Sequence, residues 1–180
     1  MRWRSSAIAP AAFAESIAWV GSSSDDWFSP SSWFGYTRVP GANDLAAIDA
    51  QGPTIAAGRV AEIDELSIGI TLDGSLSVEG GLKTSNTKLG NKDLVAGTLN
   101  FSGGDWSNKH DIFIGGVGIG EVSLTGSRGI SGGNVYLGRG SGHGWLTLDN
   151  LSSFDNTGTT FVGGAVVIGR HSVGRATISG

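Results

Sequence analysis

Carboxylates are the side chains of this sequence with the clearest potential for chemistry, because two carboxyl groups about 5–10 Å apart hydrolyse glycosidic bonds. Glu79 and Asp149 occupy the same position of a repeated segment, and Ser102 and Thr125 hold that position in the repeats between them. Turns of a stacked β-structure lie about 4.8 Å apart, so three turns would separate the two carboxylates by about 14 Å. This spacing argues against a hydrolytic pair.

Two further pairs of carboxylates, Asp25 with Asp26 and Asp44 with Asp49, lie in the N-terminal part of the chain. Aspartates in loop-like sequence commonly cap turns by accepting hydrogen bonds from nearby backbone N–H groups. We predict this structural role for them rather than acid–base catalysis.

The three histidines do not recur at one position of the repeat, so they are not expected to form a column. His110 lies four residues before a repeat begins, whereas His143 and His171 lie six and three residues after one begins. We predict exposed loop residues rather than metal ligands or a general base. Ser141, in the sequence G-S-G-H-G, is not followed by the helix that a nucleophile elbow requires. The sequence thus predicts no catalytic, cofactor-binding or metal-binding residue, and a protein that is not an enzyme.

The amino-acid composition excludes or disfavours several further classes of protein. The 180 residues include 31 glycines, only 4 prolines and no cysteine, and the net charge is −4. A chain without cysteine forms no disulfide framework and no thiolate metal site, and its negative charge disfavours nucleic acid as a partner. The sequence contains no run of 18 apolar residues, so no membrane-spanning helix is predicted.

A repeated sequence segment predicts the strands on which any functional site would lie. Its template is an aliphatic residue followed by glycine, a short loop, a second glycine, and alternating apolar residues before a final glycine or asparagine. Irregular spacing of such units is typical of a solenoid with constant strands and variable loops. The units are residues 68–80, 89–103, 114–126, 137–150 and 168–180, with anchors at Ile68, Leu89, Ile114, Leu137 and Ile168.

Apolar and polar residues alternate within each unit, as in a strand that buries one face. One inward file would comprise Leu76, Leu99, Val122, Leu146 and Ala176. The outward column beside it would comprise Ser77, Asn100, Ser123, Thr147 and Thr177. A single turn buries too few aliphatic groups to offset its loss of backbone entropy, whereas stacked turns bury a continuous core. We therefore predict an all-β fold, a parallel β-helix solenoid over residues 61–180, with a β-sandwich as the alternative.

The last position of each unit is glycine or asparagine, the residues that best tolerate a positive φ. We predict this backbone conformation at Gly80, Gly103, Gly126, Asn150 and Gly180.

Residues 15–60 do not fit the template and are rich in aromatic side chains, among them Trp27 and Trp33. We predict an aromatic N-terminal cap that covers the open end of the solenoid. The alternative is a platform of exposed tryptophans on which sugar rings stack. Residues 1–14 carry two arginines, a short apolar stretch and A-F-A, which fits either the remnant of a secretory signal or an ordinary tail.

One sequence pattern that begins in residues 15–60 resembles that of a known family. Residues 19–49 read W-x7-W-F-S-P-S-S-W-F-G-x4-P-G-A-N-D-x3-I-D, and G-D-W-S-N at 104–108 and recurrent I-G-x-x-G-x-G units follow. The chain resembles the passenger domains of bacterial autotransporters, as a fragment without their translocating barrel. The resemblance implies a right-handed β-helix, secretion across the outer membrane and adhesion.

These observations together predict a non-catalytic β-helix scaffold for adhesion or surface presentation, secreted or held at the bacterial cell surface. Its expected partner is a glycan or protein on a host or neighbouring cell. The alternative is a β-helix protein that binds or degrades polysaccharide. Neither prediction assigns a cofactor.

Overall fold

The computed structural model describes residues 14–22, 25–35, 37–163, 165–168 and 175–178, the last two ranges as backbone. Within these ranges the chain forms β-strands and one 3-10 turn at Pro30–Ser32. The strands are β1 (Ser16–Ala18), β2 (Leu45–Ile48), β3 (Thr54–Ile55), β4 (Val60–Ile68), β5 (Gly74–Val78), β6 (Gly81–Leu89), β7 (Ala96–Ser102), β8 (Asp105–Asn108), β9 (Ile112–Ile114), β10 (Ile119–Thr125), β11 (Arg128–Ser131), β12 (Val135–Leu137), β13 (His143–Asp149), β14 (Ser153–Asn156), β15 (Thr160–Val162), β16 (Ala165–Ile168) and β17 (Arg175–Ile178).

Every strand pair between these elements is parallel, and each strand pairs with its equivalent one turn away. One sheet runs in the order β1-β2-β4-β6-β8-β11-β14-β17 and also contains β9, β12 and β15. The other runs in the order β16-β13-β10-β7-β5-β3. The chain alternates between the two sheets as it advances, which is the topology of a β-solenoid. The predicted fold class is therefore confirmed.

The larger sheet changes along the solenoid. The long strand β6 pairs with both β8 and β9, so one strand in the early turns becomes two shorter strands in the later ones. Asn108 marks the break, where its buried side chain donates to the carbonyl oxygen of His110 at 2.7 Å. Its carbonyl oxygen accepts from the hydroxyls of Thr84 at 2.7 Å and Thr87 at 3.0 Å. A polar cluster inside the core thus supports the corner between the two shorter strands.

The inward file of the smaller sheet has the predicted register through four turns. Leu76 pairs with Leu99, Leu99 with Val122, and Val122 with Leu146. All four side chains are buried. Because buried aliphatic groups contribute roughly 1.5–3 kcal/mol each, this continuous file is a principal source of stability.

The prediction for the last turn was wrong. Leu137 pairs with Val162, not with a residue near Ile168, so the fifth anchor is Val162. Ile168 instead pairs with Leu148 in the smaller sheet. Ala176 consequently leaves the predicted file and pairs with Phe154 in the larger sheet. The physical reason is that Val162-Gly163, 25 residues after Leu137, supplies the aliphatic residue and the glycine of the template.

The predicted positive φ is confirmed at three positions and absent at one. Gly103, Gly126 and Asn150 have φ values of 109°, 59° and 51°. Gly80 is not among the residues with positive φ; there a Cβ would lie 2.2 Å from the carbonyl oxygen of Arg59. Glycine is required at this corner by close approach, and Gly180 lies outside the described residues.

The N-terminal segment contains both a cap and the start of the ladder. Ile48 of β2 pairs with Ile68, and Ile55 of β3 pairs with Val78, so the sheets extend into residues 15–60. Ahead of these strands, three buried tryptophans, Trp19, Trp27 and Trp33, form the aromatic cap. The ring of Trp33 lies edge-to-face with those of Trp19 at 5.0 Å and Trp27 at 4.7 Å.

No helix among the described residues is long and apolar enough to span a membrane.

Candidate functional site

A hollow with a volume of about 610 Å³ lies on the outward face of the larger sheet. It crosses β4, β6, β8 and β11, with Gly81 and Ser107 among its lining residues. These two small residues occupy outward positions, so they leave a depression between the longer side chains of neighbouring turns. Its volume falls within the 300–1,000 Å³ typical of ligand sites. We refer to it as the sheet hollow.

Register explains why this depression forms at Gly81. Leu82 pairs with Trp106, so the preceding residues, Gly81 and Asp105, lie side by side on adjacent turns. Both Leu82 and Trp106 are buried and form the floor. The corner below Asp105 is tight, because a Cβ at Gly104 would lie 1.6 Å from the carbonyl oxygen of Gly80. The backbone of adjacent turns is therefore in contact beneath the hollow.

Five charged side chains line the sheet hollow: Arg59, Glu79, Lys83, Asp105 and Arg128. Arg59 is held in place by an ion pair of 2.7 Å with Asp26 and by the ring of Phe28, whose centroid is 3.6 Å from the guanidinium carbon. The remaining four are exposed.

The cations of the hollow are loosely paired. The ammonium of Lys83 lies 3.9 Å from Glu62, and the guanidinium of Arg128 lies 3.8 Å from Asp155. Both distances exceed the roughly 3.2 Å limit of an N–H···O hydrogen bond. Exposed pairs of this kind contribute little to stability, about 0–1 kcal/mol. The donors of Lys83 and Arg128 are therefore available to a ligand.

The structure brings Glu79 and Asp105 into one hollow, a convergence that the sequence analysis missed. Glu79 lies at the corner between β5 and β6, and Asp105 begins β8, so the two occupy different positions of the repeat. The signal that could have found them was the parallel register itself, which places the residues around each corner glycine next to one another.

The N-terminal aspartates have the predicted structural role, and Glu79 and Asp149 lie as many turns apart as predicted. Ser102 pairs with Thr125 and Thr125 with Asp149, so three turns separate Asp149 from Glu79, as predicted. The carboxylate of Asp25 accepts from the backbone N–H of Ser22 at 2.8 Å.

Asp26 and Asp49 cap turns in the same way. Asp26 accepts from the backbone N–H of Phe28 at 3.0 Å. Asp49 accepts from the backbone N–H groups of Ile70 and Thr71 at 2.5 and 3.0 Å, one turn further along. Burial opposes the charged form of Asp49, but the hydrogen bond from the Thr71 hydroxyl at 2.6 Å, together with those from the backbone, lowers the pKa of this carboxylate.

Asp44 anchors the cap through Arg38. Its nearly buried carboxylate accepts two hydrogen bonds from the Arg38 guanidinium, one of them at 2.9 Å, and others from the backbone N–H groups of Gly41 and Glu15 at 2.7 and 3.1 Å. The hydrogen bond with Arg38 is the main reason that the pKa of Asp44 falls from 3.8 to about 2. Asp44 is therefore charged at neutral pH and acts as a structural anion.

His110 and His143 are exposed, and His171 lies outside the described residues. The ring of His143 stacks on Trp145 with centroids 6.0 Å apart. Ser141 is an exposed loop residue between β12 and β13, so it is followed by a strand and not by the helix of a nucleophile elbow. In the part of the chain that the structure describes, no group of three or more acidic, histidine or cysteine side chains could hold a metal ion.

The alternative of a sugar platform in the front end was wrong, because Trp27 and Trp33 are both fully buried. Trp33 also donates its Nε1–H to the carbonyl oxygen of Trp27 at 2.7 Å. Their rings therefore fill the cap and offer no face to a ligand.

The outward polar column has the predicted register through four turns. Ser77 pairs with Asn100, Asn100 with Ser123, and Ser123 with Thr147. In the fifth turn Thr147 pairs with Val167, whereas Thr177 pairs with Asp155 in the other sheet. The prediction for Thr177 was therefore wrong, for the same reason as that for Ala176.

A second surface feature is an aromatic stack on the outward face of β9, β12 and β15. The ring centroid of Tyr136 lies 4.7 Å from that of Phe113 and 4.8 Å from that of Phe161. The planes are nearly parallel, at 3° and 4°. Because the rings cover one another's faces, this stack contributes mainly to stability. The sequence signal was the aromatic residue two positions before each later glycine, as in F-I-G, Y-L-G and F-V-G.

Comparison with known proteins does not identify the chain. No family model matches it, and neither a curated protein nor a solved structure does. Fold, surface geometry and charge are the observations from which its function is inferred.

Proposed function

We propose that the chain is a non-catalytic solenoid scaffold of a secreted or bacterial surface protein, and that its lateral faces adhere to glycans or proteins of another cell. The observation that carries this proposal is the unbroken register of the stacked turns, from Ile48 through Leu137 in the larger sheet. A solenoid of this kind exposes long, regular faces on which weak contacts repeat and add up.

The use of carboxylates supports the same proposal. Asp26, Asp44 and Asp49 each accept hydrogen bonds that fix a corner or the cap. Side chains held in this way contribute rigidity, which a presenting scaffold needs. The autotransporter-like sequence pattern of the front end is consistent with the same role.

Adhesion is tested with fluorescent beads that carry the purified chain. The beads are incubated with cultured epithelial monolayers and with immobilised matrix proteins. Beads that carry the same amount of heat-unfolded chain are the control. The proposal expects retention of the beads with folded chain only. Equal retention of both kinds, or of neither, would contradict it.

A second candidate function is the degradation of polysaccharide, which the convergence of Glu79 and Asp105 in one hollow favours. Two carboxylates that line one hollow are the kind of side chains that glycoside hydrolysis requires. Release of reducing ends from a panel of polysaccharides tests this function. Turnover that disappears in both Glu79→Gln and Asp105→Asn would establish it and overturn the non-catalytic proposal.

A further inference from the structure

We propose that the sheet hollow is a binding site for a neutral oligosaccharide. The inference rests on the proposed adhesive function, since it names the class of ligand through which the solenoid would adhere. It assigns the contacts to Lys83, Asp105 and Arg128, with Glu79 at the corner.

The first argument is that the hollow holds polar groups without strong partners of their own. Among the described residues, the carboxylates of Glu79 and Asp105 have neither a hydrogen bond nor an ion pair, so their oxygens are free to accept. Lys83 and Arg128 have only the long ion pairs described above and retain their donors. Donors and acceptors side by side suit the vicinal hydroxyls of a sugar, because each hydroxyl both donates and accepts.

The second argument is the charge of the hollow. Lys83 and Arg128 contribute two positive charges, and Glu79 and Asp105 contribute two negative ones. Each cation also has a carboxylate beside it, Asp26 for Arg59, Glu62 for Lys83 and Asp155 for Arg128, so charges of both signs line and surround the hollow. An acidic sugar would meet two carboxylates here and a cationic ligand two cations, so electrostatic complementarity favours a ligand without net charge.

The third argument is shape and polarity. Val60 is 53% exposed, and it lines the hollow together with Ile130. These side chains offer apolar contact to the C–H faces of a sugar ring.

A peptide strand fits the hollow less well. Peptides commonly bind a sheet by pairing with a free edge. The strands β6, β8 and β11 under the hollow have no such edge, because each pairs on both sides, whereas β4 pairs with β2 only from Glu65 onward. A ligand that lies over β6, β8 and β11 must therefore bind through side chains, as a sugar does.

The experiment probes the full chain with a glycan array of neutral hexose and pentose oligosaccharides, acidic oligosaccharides and unstructured peptides. Calorimetry then measures the affinity for the best neutral glycan. Asp105→Ala and Arg128→Ala remove contacts, and Ser107→Leu fills the hollow. The matched controls are Asp93→Ala and Lys92→Ala, which change exposed residues of the same charge in the loop between β6 and β7. A thermal melt confirms that each variant is folded.

The expected result is binding of a neutral glycan that weakens about tenfold or more in each hollow variant, because each removes a hydrogen bond to a charged group or the space itself. The controls should bind like the unmodified chain. Binding of acidic glycans or peptides instead, no neutral glycan bound, or equal losses in the controls would overturn the inference.

Beads that carry the Asp105→Ala variant separate this inference from the proposed function. Adhesion that persists when glycan binding is lost would overturn the hollow as the adhesive site and leave the scaffold proposal intact. Specific glycan binding by a chain that adheres to no cell or matrix protein would support the site and contradict the adhesive function.

Discussion

Replacing Asn108 with alanine is expected to destabilise the solenoid strongly. The side chain is 2% exposed and lies where the larger sheet divides into two shorter strands. Its carbonyl oxygen accepts hydrogen bonds from Thr84 and Thr87, and its amide donates to the carbonyl oxygen of His110. Alanine removes all three interactions and leaves two buried hydroxyls without this acceptor.

The size of the effect follows from these contacts. A typical hydrogen bond contributes about 1 kcal/mol net, so the loss of three lowers the free energy of unfolding by about 3 kcal/mol. For a chain of this length each kcal/mol corresponds to about 2–4 °C, which gives a fall in melting temperature of about 6–12 °C. The matched control is Asn100→Ala, because Asn100 is exposed on the outward column. Its effect should stay within about 0.5 kcal/mol.

Urea unfolding followed by circular dichroism measures both variants. A stability of Asn108→Ala within about 0.5 kcal/mol of the unmodified chain would refute the proposed role of the interior cluster. Equal losses in the two asparagine variants would refute it as well, because they would show no distinction between interior and outward positions.

The cap and the aromatic stack give two further predictions. The pKa of Asp44 is about 2 in the folded chain and 3.8 ordinarily, so its stabilising effect is complete above about pH 4 and is lost as the pH falls through 2. Asp44→Asn should therefore lower the free energy of unfolding by about 2 kcal/mol at pH 7. Chemical denaturation at pH 2 should show a much smaller difference in stability between this variant and the unmodified chain. A difference in stability that does not change with pH would contradict the role of charge. Tyr136→Ala should cost about 1–3 kcal/mol, because it removes two stacked ring pairs worth about 0.5–1.5 kcal/mol each, whereas Tyr136→Phe should keep the stability. Equal urea midpoints for the two Tyr136 variants would show that the stack contributes nothing.

Alternation of apolar and polar residues was enough to predict the parallel solenoid and most of its register. Leu76, Leu99, Val122 and Leu146 follow equivalent glycines at equal distances, so the backbone positions them in one file. The pattern failed at the last turn because both Val162-Gly163 and Ile168-Gly169 match the start of the template. Pairing across turns decides between them.

The candidate site was not predictable from the repeat in the same way. The template compares residues at equivalent positions, whereas Glu79 and Asp105 meet around a corner from different positions. The hollow also depends on the small size of Gly81 and Ser107, which leave space between neighbouring turns. This space cannot be recognised from the sequence of a single repeat. The burial of Trp27 and Trp33 was not predictable either, because it depends on tertiary packing. The same aromatic sequence can be buried in a cap or exposed on a surface.

Cysteine cross-linking across adjacent turns tests most directly the register that builds both the solenoid and the hollow. Lys83 pairs with Ser107 on the next turn, and Ser107 with Ile130 one turn beyond. Adjacent strands about 4.8 Å apart lie within the Cα–Cα range of about 4.4–6.8 Å for a disulfide, and strands two turns apart lie outside it.

The chain has no cysteine of its own, so each double variant contains a single pair of thiols. After mild oxidation, peptide mass spectrometry should find an intramolecular disulfide in Lys83→Cys/Ser107→Cys and none in the control Lys83→Cys/Ile130→Cys. A disulfide in the control variant, or none in the first, would contradict the stacking of the turns and the hollow that it forms.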